Sequence, residues 1–127
     1  MKISEKLVVL VTGGAMGLGL ATVELLVSLR ARVCCVDLDE KALQTVADRF
    51  PEVMCLKCDV SVEKDVKATV ERCVAHFGEL HALVNSAGIN IPSMFLTSKT
   101  ALDTKALHKM FEVNLFGTLY FCKYAAV

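Results

Sequence analysis

The segment Thr12-Gly13-Gly14-Ala15-Met16-Gly17-Leu18-Gly19 follows the apolar run Leu7 to Val11 and has the residue types to cradle a diphosphate. Three of its glycines have separate mechanical uses: Gly13 for a tight turn after a strand, Gly17 for backbone approach to the phosphates, and Gly19 for close packing of the following helix on the sheet. The free backbone N–H groups of such a turn and the positive end of the helix dipole hold the anion. Gly13, Met16, Gly17, Leu18 and Gly19 are therefore candidate cofactor-binding residues. Asp37 ends the second apolar run, about 20 residues beyond the glycines, where a carboxylate accepts hydrogen bonds from an adenosine ribose and repels a 2′-phosphate. The pairing reads as NAD rather than NADP. The plainer alternatives are a turn into a helix with no ligand and a solvated carboxylate at the end of a strand.

Other reactive side chains point elsewhere. Cys34, Cys35, Cys55, Cys58, Cys73 and Cys122 all fall inside apolar strand or helix patterns, where a thiol behaves as a small hydrophobe. Cys55 and Cys58 have a two-residue gap, but on a strand they face opposite ways, so no metal is expected. His76 falls in the last turn of a helix, where the dipole favours positive charge, and His81 and His108 have no partner at ligand spacing. Phe111, Phe116 and Phe121 read as one packing face or a subunit contact. Tyr120 and Tyr124 are the two tyrosines; neither is followed four residues later by Lys.

Alternation of short apolar runs with longer segments of helical period predicts repeated strand-helix-strand units and an α/β, doubly wound parallel sheet. Strands are expected at 7–12, 32–37, 53–58 and 81–85. Helices are expected at 17–29, burying Leu18, Ala21, Leu25 and Leu29, at 40–49, stopped by Pro51, and at 62–77, burying Val62, Val66, Val70, Cys73 and Phe77 and capped by Gly78. A less regular stretch, 86–104, precedes a long helix from 105 to the end. Right-handed crossovers then give the strand order 3-2-1-4, with a cofactor across the carboxyl ends and strand four as an open edge.

The chain of 127 residues is 54% hydrophobic and 22% charged, which fits one globular domain. Fourteen Lys and Arg offset fourteen Asp and Glu, so no basic field favours nucleic acid, and no apolar stretch is long enough to span a bilayer. A small-molecule substrate is the expected ligand. The start of the chain does not have the pattern of a secretory signal or an Arg-rich presequence.

Four motifs, in order, carry a resemblance: the glycine segment, Asp59-Val60 after strand three, Asn85-Ser86-Ala87-Gly88 after strand four, and Val113-Asn114 in the last helix. Together they resemble the short-chain dehydrogenase/reductase family, from Leu7 onward. The resemblance implies a Rossmann domain over 1–127, incomplete at its carboxyl end after the fourth strand and following helix. It implies that Asp59 and Val60 lie against the adenine ring and that Asn85, Ser86, Ala87 and Gly88 steady the sheet and pass beside the nicotinamide ribose. Asn114 would anchor a water in a proton relay, as the one catalytic position present. Ser86 departs from the family's second Asn in that motif.

Within the family the chain looks like type-2 3-hydroxyacyl-CoA dehydrogenases, from segments such as Val84-Asn-Ser-Ala-Gly-Ile89 and Val113-Asn-Leu-Phe-Gly-Thr118 and the extension from Thr97 to Leu107. That resemblance implies NAD-linked oxidation of a secondary alcohol, on a 3-hydroxyacyl-CoA or hydroxysteroid, in a mitochondrial homotetramer; without it the compartment expected is cytoplasmic. The family's Ser and Tyr-x-x-x-Lys are absent, so this chain alone is expected to be inactive and to be the amino-terminal part of a dehydrogenase. A non-catalytic nucleotide-binding or interaction module is the alternative.

Overall fold

The computed structural model describes residues 2–92, 96–97 and 101–126. Residues 93–95 and 98–100 of the expected irregular stretch, and Val127 at the end of the last expected helix, lie outside the described residues. Four strands, β1 (Val8–Thr12), β2 (Arg32–Asp37), β3 (Met54–Lys57) and β4 (Ala82–Asn85), form one parallel sheet in the order β3-β2-β1-β4. Helices α1 (Gly17–Ser28), α2 (Glu40–Arg49) and α3 (Glu63–Phe77) make the crossovers. The last helix has two α-helical parts, α4 (Thr104–Phe111) and α5 (Gly117–Ala125), joined without a break by a π-helical turn at Glu112–Phe116.

All five residues of β1 are buried because both faces of the sheet are covered, which is why these strands read as continuous apolar runs rather than alternations. Val9, Val11, Val33 and Cys35 face α1 and α2, whereas Val8, Leu10, Cys34 and Val36 face α3 and α5. Cys55 packs on the first side and Cys58 on the second, as their spacing on a strand requires. The buried Cys34 thiol is pushed far up by its hydrogen bond with Cys73 and by loss of water, so it packs as a neutral group. β4 occupies the sheet's end, and its outer edge has no strand partner among the described residues.

The structure corrects three expectations about packing. Leu18, Ala21, Leu25 and Leu29 do not form the buried face of α1; Leu18 is 84% exposed and Leu25 58%, while Gly19, Val23 and Leu26 are buried. Apolar residues surround this helix, so periodicity could not fix its phase; Gly19, pressed against the preceding loop, does. Val62 is the residue before α3 and is exposed, although Val66, Val70 and Cys73 bury as expected. Phe111, Phe116 and Phe121 do not share a face: Phe121 is fully buried, and the other two are about half exposed, at 51% and 45%. Steps of five residues turn an α-helix by about 140° beyond a full turn, and the π turn shifts the phase again.

Local signals explain the ends. Gly78 closes α3 at φ +84°, a left-handed conformation that glycine adopts without a Cβ clash. Asp39 caps α2, its Oδ1 accepting from the amides of Lys41 and Ala42 at 2.9 and 3.0 Å. His81 accepts a hydrogen bond from the Val8 amide through Nδ1 at 3.1 Å, joining the start of β4 to β1.

Candidate functional site

A cleft of about 720 Å³ opens at the carboxyl ends of the strands. Its floor is the β1–α1 loop, where Gly13, Met16, Gly17 and Leu18 line it. Gly13 and Gly17 adopt φ +61° and +55°, so the loop needs residues without a Cβ to turn this way. A Cβ on Gly19 would fall 2.0 Å from the Gly13 carbonyl oxygen, which places its tight contact on the loop itself rather than on the sheet. Nothing lies within 4 Å of a Cβ placed on Gly17, so the backbone there faces open space. Met16 provides no side-chain cap to α1, and the helix's first turn carries no acid. The positive end of α1 is thereby left for an anion.

Asp37 is nine-tenths buried at the end of β2, which removes the reading of a solvated carboxylate. Its Oδ2 accepts from the Ala15 amide and its Oδ1 from the Asp39 amide, both at 3.1 Å. The carboxylate therefore fixes the glycine loop while it lines the cleft together with Leu38 and Asp39. A carboxylate oxygen accepts more than one hydrogen bond, so these contacts leave capacity for ribose hydroxyls.

The end of β3 contributes Cys58, Asp59 and Val60. Asp59 Oδ1 accepts from the Ser61 hydroxyl at 2.6 Å and the Ser61 amide at 2.9 Å. The Ser61 hydroxyl, its amide and the nearby Lys109 charge hold the Asp59 carboxyl below its ordinary range. Burial pushes the Cys58 thiol upward, so it forms an uncharged wall.

The loop after β4 supplies Ser86, Ala87, Gly88 and Ile89. Thr12, buried at the end of β1, accepts from the amides of Ser86 and Ala87 through Oγ1 at 3.2 and 3.1 Å. Ala87 also touches the space where a Gly13 side chain would lie, so the two loops seat on each other. Asn85 is not in the cleft wall: it pairs with Thr12 across the sheet, and its Nδ2 reaches Cys122 Sγ at 3.6 Å. Asn114 stands in the π turn and grips the Ile89 backbone in both directions, accepting from its amide and donating to its carbonyl at 2.8 Å each. Its own carbonyl accepts from Thr118 Oγ1 at 2.9 Å.

Thus ten of the expected residues (Gly13, Met16, Gly17, Leu18, Asp37, Asp59, Val60, Ser86, Ala87 and Gly88) meet in one cleft, and Gly19, Asn85 and Asn114 brace it from behind. Lys109 and Val113 were not foreseen as wall residues, although they stand one helical turn apart and Val113 adjoins Asn114. Tyr124 and Lys123 both reach Glu63 Oε1, at 3.0 and 2.8 Å, and neither lines the cleft.

A parallel sheet whose central strand feeds a glycine turn, with a cleft at its carboxyl edge, defines a nucleotide-binding α/β protein. The profile of the short chain dehydrogenase family matches residues 7–126, and the chain belongs to that family. It is 37% identical over 121 residues to momilactone A synthase of Oryza sativa subsp. japonica, covering 94% of this chain and 43% of that one. With L-fucose dehydrogenase of Oryctolagus cuniculus the identity is 35% over 118 residues, covering 93% and 40%. Among solved structures, a short-chain dehydrogenase/reductase described as a glucose/ribitol dehydrogenase from Brucella melitensis superposes with a TM-score of 0.90 at 31% identity, over 99% of this chain and 54% of that one. The chain spans less than half the length of the two curated relatives. Fold and family together imply a nicotinamide nucleotide cofactor. No helix among the described residues is long and apolar enough to cross a membrane.

Proposed function

We propose that the chain binds NAD in this cleft and forms the cofactor-binding part of an oxidoreductase that oxidises a secondary alcohol, of the 3-hydroxyacyl-CoA or hydroxysteroid class. The observation that carries the proposal is the buried Asp37 carboxylate, bound to the Ala15 amide at the head of a cleft beside the uncapped end of α1. The open space at Gly17 fits a diphosphate against the loop backbone. Asp37 accepts from the ribose and disfavours a 2′-phosphate by charge repulsion. Asp59 and Val60 hold the adenine, and Ser86, Ala87 and Gly88 run beside the nicotinamide ribose. The bound nicotinamide supplies the hydride acceptor. Asn114 keeps the loop after β4 in register with the π turn, and in the working enzyme it anchors a relay water.

Support for the substrate class comes from the local likeness to type-2 3-hydroxyacyl-CoA dehydrogenases in segments 84–89 and 113–118. The half-exposed Phe111, Leu115, Phe116 and Leu119 along the last helix support assembly into a homo-oligomer. A second reading, nucleotide binding without turnover, is favoured by the engagement of Tyr124 and Lys123 with Glu63. Calorimetric titration with NADH and NADPH tests the common core. Tighter binding of NADH is expected; equal affinity for both, or none, would overturn it. Turnover of a 3-hydroxyacyl-CoA by the 127 residues alone would rule out the second reading.

A further inference from the structure

Among the described residues Lys109 is the one basic side chain in the cleft wall, and no motif accounts for it. It extends from α4 to the loop after β3, 48 residues away in sequence, where its Nζ lies 3.1 Å from Ser61 Oγ. That hydroxyl donates to Asp59 Oδ1 at 2.6 Å and so has its proton committed, leaving its oxygen to accept from the ammonium. Glu112, one turn along the helix, lies 3.6 Å from the same Nζ and keeps it beside the helix. Asp59 Oδ1 is thereby occupied by two Ser61 donors, whereas Oδ2 has no hydrogen-bond partner among the described residues.

We infer that Lys109 is a positioning residue for the nucleobase end of the cleft: through Ser61 it fixes the Asp59 carboxylate so that one acceptor oxygen is presented to a base bearing an amino group. A base with a carbonyl in place of the amino group would set oxygen against oxygen and be disfavoured. Removing the ammonium frees the Ser61 hydroxyl to rotate and leaves the carboxylate held by the Ser61 amide alone, so discrimination falls even though Asp59 remains. Lys109 also closes this end of the cleft by linking α4 to the loop after β3, which no backbone hydrogen bond joins among the described residues. The low proton affinity of Asp59, to which the Lys109 charge contributes, keeps it an acceptor across neutral and mildly acidic pH.

This inference rests on the nucleotide reading of the cleft, and the test separates the two. The 127-residue chain is titrated by calorimetry with NADH and with the reduced nicotinamide hypoxanthine dinucleotide, which replaces the adenine amino group with a carbonyl. The unmodified chain should prefer NADH. Lys109→Met should weaken NADH about threefold to tenfold, leave the hypoxanthine form within about twofold, and so erase most of the preference. Lys109→Arg should restore it. Ser61→Ala breaks the same link from the other side, should give the same loss, and decides the matter if Lys109→Met proves unfolded by circular dichroism. Unchanged preference in either folded variant overturns the role of Lys109 while leaving the cleft's reading intact; failure of the unmodified chain to bind either dinucleotide overturns both.

Discussion

The two ends of the cleft are built from different materials. At the glycine-loop end the parts are backbone: a turn of glycines, a helix terminus, and a buried carboxylate that accepts from two main-chain amides. At the end formed by α4 and the π turn they are exposed side-chain links spanning long stretches of sequence, Lys109 to Ser61 and Asn114 to Ile89. A backbone cradle binds any diphosphate in a fixed geometry and tolerates little change. Side-chain links hold separate elements in register and can be altered one at a time. Rigidity and adjustability are thus divided between the ends.

The largest effect should come from the rigid end. Gly19→Val places a side chain against the Gly13 carbonyl, a backbone atom that cannot swing aside, and should cost about 4 kcal/mol or more or prevent folding, as read by a urea denaturation midpoint. A variant of ordinary stability would show that the loop is not held as described. Asp37→Ala leaves the Ala15 and Asp39 amides without their acceptor and should lose about 2–4 kcal/mol. The same variant should lose its preference for NADH over NADPH, and calorimetry with both would reveal a ribose role separate from the structural one.

At the other end the expected losses are smaller. Asn114→Ala removes two hydrogen bonds in an exposed setting and should cost about 1–2 kcal/mol. Amide hydrogen exchange should quicken at Ile89 while the amides of β1 stay protected; equal quickening in both would erase the contrast between the ends. Smallest of all is Leu25→Lys, on the exposed face of α1, which should stay within about 0.5 kcal/mol, against about 2–5 kcal/mol for the adjacent Leu26→Ala. Similar losses for the pair would mean that the helix is rotated from the orientation described.

Much of this molecule could be read before its structure. The strands were legible because a strand covered on both faces must be apolar throughout, and the strand order because crossovers have one hand. Gly13, Gly17 and Asp37 could be placed because each answers a backbone or charge requirement that few other residues meet. The buried face of α1 was not legible, since its apolar residues run around the whole helix and only the contact of Gly19 with the loop sets the rotation. Nor was the separation of Phe111 and Phe116 from Phe121, because a π turn inserts its extra residue only where packing of both flanking helices allows it.

By itself, then, the sequence determined the elements, their order and the glycine turn, because these follow from local backbone requirements, from unbroken apolar runs and from patterns of period 3.6. Only the tertiary structure decided that Asp37 is buried under two amides, that Asn114 grips Ile89, and that Lys109 reaches Ser61. Apart from the Asp39 amide, two residues from Asp37, those contacts join residues 22 to 48 positions apart, and no spacing rule specifies which distant partner a side chain will meet once the sheet has brought the loops together.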